Sequence, residues 1–132
     1  MARAFDRFLA SFTCQASAAI SADANSSGTK TAYDTSAGNL YMDGCREAEI
    51  ELDVTAAPAS TAKCEIYHEP LQHDGVGNAA AKVVGRAQIE TTADKYTVNI
   101  AGLSEEGYIY LKAIDAGFTA SAAMRGIYIS DT

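Results

Sequence analysis

Glu47-Ala48-Glu49-Ile50-Glu51-Leu52-Asp53-Val54 alternates an acidic with an apolar side chain at every step. Successive side chains of a β-strand point to opposite faces, so this stretch places Ala48, Ile50, Leu52 and Val54 on one side and four carboxylates on the other. On a helix the same residues would be scattered around the circumference. The period therefore predicts a half-buried strand with a wet acidic face.

Working outward, the same period of two recurs. From Thr13 to Ala22, Cys14, Ala16, Ala18, Ile20 and Ala22 alternate with Thr13, Gln15, Ser17 and Ser21. From Lys63 to Glu69, Cys64, Ile66 and His68 alternate with Lys63, Glu65, Tyr67 and Glu69, and the run stops at Pro70. Further strands are expected near 40–42, 82–90, 95–100, 108–114 and 120–130. Asp43-Gly44 is a strong two-residue hairpin signal before the acidic strand. Between strands lie turn formers: Asp23–Asp34, Pro58 among small residues, Gln72–Asn78 with its two glycines, Thr91–Asp94 and Ala116-Gly117. Short strands at near-even spacing predict an all-β chain, an antiparallel β-sandwich or jelly roll of about eight strands. Phe5, Phe8, Leu9 and Phe12 have the spacing of one helix face, so residues 1–12 are expected to form a short N-terminal arm or helix ahead of a sandwich domain at 13–132. The arm either plugs its own sandwich or docks on a neighbouring subunit.

The chain has 132 residues, enough for one domain that buries roughly two-thirds of its unfolded surface. Its net charge of −7 and pI near 4.6 argue against a nucleic-acid surface, because phosphate binding needs clustered Lys and Arg and the ten basic residues stand singly. Cys14, Cys45 and Cys64 are odd in number and lack metal-ligand spacing; strand parity predicts Cys14 and Cys64 as small buried hydrophobes, and a reducing compartment fits best. No stretch approaches the roughly 20 apolar residues of a membrane span. The N-terminal run is interrupted by Ser11, Thr13 and Gln15, unlike a signal-peptide core, which points to synthesis in the cytoplasm.

Four groupings could carry chemistry. Asp23, Asn25, Ser27 and Asp34, with Gly28 at the sixth position, have the spacing of a calcium loop, but strands rather than helices are expected around them and Asp closes the loop where Glu is usual. A plain Asx-rich turn is the simpler reading. Glu47, Glu49, Glu51 and Asp53 lie roughly 7 Å apart at alternate positions, yet a solvated row offers no asymmetry to raise one pKa for acid–base catalysis. Such a row is either solvated or salt-bridged to Lys63, Lys112, Arg86 or Arg125. His68 and His73 lack a third ligand nearby. No nucleophile elbow, phosphate loop or dinucleotide fingerprint is present, so neither an enzyme nor a cofactor is expected. Among the seven tyrosines, Tyr108 and Tyr110 share a strand face and, with Tyr67, form either ordinary cross-strand pairs or a contact surface.

The runs Ile50–Pro58, Lys63–Tyr67, Thr91–Tyr96 and Leu111–Ser121 resemble small all-β virion structural proteins of tailed bacteriophages, most closely the capsid decoration, or cement, proteins. The resemblance covers residues 46–131 and brings no catalytic residues with it. It implies a non-enzymatic protein on the outer capsid surface that bridges subunits of the phage major capsid protein. Acidity fits the outside of a shell better than its DNA-facing side. We expect a homo-oligomer, with a trimer favoured, and contacts through Phe5, Phe8, Leu9 and Phe12, with the loop 23–34 or 72–78 as a second surface. A tail, neck or baseplate component and a host-glycan-binding module are the alternatives.

Overall fold

The computed structural model describes residues 5–8, 11–22, 31–34, 47–70, 81–103 and 106–130. These form nine strands: β1 (Phe5–Phe8), β2 (Phe12–Ile20), β3 (Thr31–Asp34), β4 (Ala48–Ala56), β5 (Ala62–Pro70), β6 (Lys82–Ile89), β7 (Lys95–Ile100), β8 (Glu106–Ile114) and β9 (Phe118–Ser130). They pair antiparallel in two sheets that pack as a β-sandwich. Sheet one runs β7-β4-β9, and the far edge of β9 is shared by β2 and β1. Sheet two runs β3-β8-β5-β6.

The acidic stretch is the centre of sheet one. Leu52 lies opposite Tyr96 on β7 and Ala122 on β9, and Ile50 opposite Val98 and Met124. Both edges of β4 are thus satisfied by strands remote in sequence. Its alternation sorts as the period requires: Ala48, Ile50, Leu52 and Val54 are buried, whereas Glu49, Glu51 and Asp53 face outward. Across the sandwich, sheet two turns Ala62, Cys64, Ile66, Ile89, Ile109, Leu111 and Ala113 inward to meet them. The two layers close where β6 approaches β7: a Cβ added at Gly85 would stand 2.9 Å from side-chain carbons of both Val98 and Ile100. Only a glycine lets the layers come that near.

Two sequence expectations are corrected. Phe5–Phe8 is a strand, not a helical turn, with Phe5 opposite Ser130 and Phe8 opposite Ile127. The pairing of β2 with β9 ends at Met124, and along the same edge the main-chain groups of β9 from Ile127 to Ser130 need partners, which β1 supplies. Pairing to a distant strand outweighs the local helical period of so short a segment. Thr31–Asp34, placed within a loop by its turn-forming neighbours, is strand β3 and pairs with Ile109–Glu106 of β8. The expected strand at 40–42 and its Asp43-Gly44 turn lie outside the described residues.

The chain crosses from sheet two to sheet one at Asp115–Gly117. Asp115 has φ 74°, a left-handed conformation that aspartate tolerates better than most residues. A Cβ on Gly117 would meet the Ile20 carbonyl oxygen at 2.8 Å, so the close approach of β2 excludes a side chain there.

If the buried face of β4 holds the layers together, Leu52→Ala costs about 2–5 kcal/mol of unfolding free energy. The neighbouring exposed change Glu51→Ala is expected to stay within about 0.5 kcal/mol. Urea denaturation of both variants checks the contrast.

Candidate functional site

The outer face of sheet two carries the one stacked aromatic pair among the described residues. β5 and β8 are in register with Glu65 opposite Lys112, Tyr67 opposite Tyr110 and Glu69 opposite Tyr108. The rings of Tyr67 and Tyr110 stack with centroids 5.2 Å apart and planes only 6° from parallel. Such a pair adds dispersion and fixes both rings upright on the sheet. The Tyr67 hydroxyl donates to Glu65 Oε1 at 3.1 Å, and Arg86 Nε on β6 donates to Glu65 Oε2 at 2.9 Å. The Arg86 hydrogen bond is the main cause that lowers the Glu65 pKa, with the Tyr67 hydroxyl adding to it. Burial, then the hydrogen bond to Glu65, raises that of Tyr67. The Glu65 side chain is 16% exposed and the Arg86 side chain 65%. Around this network the face presents Lys63, Arg86 and Lys112.

The outer face of sheet one holds the acidic row. Arg125 on β9 donates through Nε at 3.1 Å and Nη2 at 2.7 Å to a single oxygen, Oε1 of Glu49. Glu51 and Lys95 approach only to 4.0 Å with both side chains largely exposed, a contact worth at most about 1 kcal/mol. Ser11, Glu49, Glu51, Ala123 and Arg125 line a shallow depression of about 130 Å³. Of the cations considered for this row, only Arg125 pairs with it; Arg86 belongs to Glu65 on the other sheet. Within the row Glu49 is the more enclosed, its side chain 20% exposed against 54% for Glu51.

The other sequence candidates separate. Phe12 packs against the core of its own chain, Phe5 and Phe8 are paired in β1, and Leu9 lies outside the described residues. Asp23, Asn25 and Ser27 also lie outside, as does the loop 72–78. Asp34 ends β3 opposite Glu106, so the last four positions of the calcium-like spacing are strand. Among the described residues no group of three or more His, Cys, Asp or Glu is placed to hold a metal ion. His68 points into the sandwich and is 3% exposed, while His73 is outside the described residues. Cys14 and Cys64 are free and buried, and burial pushes each thiol up to about 12, which leaves them protonated and unreactive. The parity of β5 put Glu65 and Tyr67 on one side in advance. What sequence alone could not supply is the register that brings Tyr110 and Arg86 to them.

No protein-family model matches the chain, and no curated protein matches it. Two solved structures are similar in fold. One is the CBM22-1–GH10 modules of the Clostridium thermocellum endo-1,4-beta-D-xylanase 10B complexed with xylohexaose, at 8% identity and a TM-score of 0.51 over 96% of this chain and 29% of that one. The chain thus spans under a third of that structure's length. The other is a CBM4 structure, at 13% identity and a TM-score of 0.31 over 92% of this chain and 86% of that one. At 8% identity the likeness to the xylanase modules is one of fold.

His68 gives the core a pH dependence. Burial, and next the Lys82 charge on the neighbouring strand, lower its pKa below the usual 6.5. The unfolded chain then holds the proton that the folded chain refuses, so stability is level above pH 6.5 and falls as pH drops through the folded pKa. Thermal melts across that range are expected to show the loss in the wild type and a shallower slope in His68→Gln, with His73→Gln retaining it.

Proposed function

We propose that this chain is a non-enzymatic virion structural protein of a tailed bacteriophage that decorates the outer capsid surface and bridges subunits of the major capsid protein as a homo-oligomer. The observation that carries the reading is where the resembling segments fall. Residues 46–131 hold strands β4 to β9, which supply most of both sheets and most of the sealed core. Such a slab acts through its faces and edges. One further feature supports it: the net charge of −7 suits a protein held outside a shell packed with DNA. Each contact with the shell is modest, and repetition over many copies makes the sum large.

A second reading, a host-glycan-binding module, is favoured by the upright Tyr67–Tyr110 pair, since tyrosine rings combine apolar faces with a hydroxyl. The xylanase structure with a similar fold was determined with xylohexaose. A tail, neck or baseplate position remains the alternative within the virion.

Purified protein added to bare expanded heads of the phage that encodes it is expected to bind in fixed proportion to the major capsid protein. Binding confined to a few copies per particle indicates a tail or neck position instead. No capture by heads, together with specific retention on a glycan array that Tyr110→Ala abolishes, would overturn the capsid reading in favour of the second.

A further inference from the structure

We propose that the outer edge of β2 is a self-pairing edge, through which two copies of this chain join sheet one to sheet one around a two-fold axis. β2 is bonded along one side to β9, and among the described residues no strand pairs with its other side. A strand edge of this kind presents unsatisfied N–H and C=O groups and is a template for another chain unless the sequence blunts it.

The remaining edges are blunted. β1 has only four residues, two of them Asp6 and Arg7, and β3 has only four. β6 carries exposed Lys82 and Arg86, and its pairing with β5 is interrupted by a bulge. β7 begins at exposed Lys95 beside Asp94. β2 has none of these charges and no proline. From Phe8 to Ala22 the chain runs fifteen residues without a charge, whereas no other charge-free run exceeds nine. Ala16, Ser17, Ala18 and Ala19 on this edge are all exposed.

The pattern selects a second copy as the occupant. Two chains of net charge −7 repel, and they meet at least cost where neither brings a charge. An antiparallel pairing of a strand with its own copy is self-complementary, as a two-fold contact must be. Its extent is limited by local structure. The Cys14 carbonyl already accepts from Thr31 Oγ1 and the Ala16 carbonyl from Gln15 Nε2, both at 2.6 Å, and register shifts interrupt β2 between Thr13 and Ala18. Pairing therefore runs from Ser17 to Ile20, of which Ala18, Ala19 and Ile20 follow β9 in unbroken register. The result is a dimer, not the expected trimer. It depends on the sheet edge alone, not on where the protein sits in a particle.

Sedimentation equilibrium of the full chain tests this, with Ala18→Lys and Ser17→Lys as edge variants and Thr97→Lys on β7 as the control. The wild type and Thr97→Lys are expected at twice the chain mass, with association strengthening as salt screens the net charge. Both edge variants are expected at the single-chain mass with circular dichroism unchanged, since each replaced side chain is exposed. If one variant misfolds, the other decides. A wild type that stays monomeric at every concentration, a trimer, or an edge variant that remains dimeric overturns the proposal. Capture by phage heads is a separate measurement, so failure of the virion reading leaves this result intact.

Discussion

Everything in this fold depends on β4 being paired on both edges while its side chains divide cleanly between oil and water. Ala48, Ile50, Leu52 and Val54 are at most 1% exposed, and each is set against inward residues of β7 or β9 and of the opposite sheet. A one-residue slip would turn the carboxylates of Glu49, Glu51 and Asp53 into the core, at a cost no available cation could offset. The register of the acidic strand is therefore fixed by electrostatics as firmly as by packing. The strands that flank it inherit their own register from it.

That division also decides what the two outer surfaces can do. On sheet one the carboxylates stand in a row and find partial compensation in Arg125 and Lys95. On sheet two the carboxylate that matters, Glu65, is enclosed between Arg86 and Tyr67, leaving a face of upright tyrosines with surrounding cations. The two faces thus differ in chemistry, one acidic and one aromatic with cations around it, and the chain's edges differ in how well they are guarded against pairing.

Much of the fold was legible in the sequence, because a period of two over six or more residues leaves little choice. The strands around Ile50, Ile66 and Val98 are of that kind, and they form where the alternation places them. β3 was not legible: four residues, Thr31–Asp34, are too few for a period, and the Asx-rich run before them signals only a turn. β1 was misread because Phe5, Phe8 and Phe12 satisfy a helical spacing by coincidence, whereas the unpaired end of β9 recruits the segment as a strand. For the candidate face, parity gave the side of the strand on which Tyr67 and Tyr110 stand. Their stacking and the Arg86–Glu65 pair depend on long-range register, which local sequence does not encode.

Hydrogen exchange of individual main-chain amides tests the central role of β4 most directly. Bonded on both sides and shielded from water, the Ile50 and Leu52 region should exchange only through global unfolding, at the slowest rates in the molecule. Exchange there as fast as at the edge strands β3 and β6, or a slowest-exchanging cluster located elsewhere, would contradict a sandwich organised around that strand.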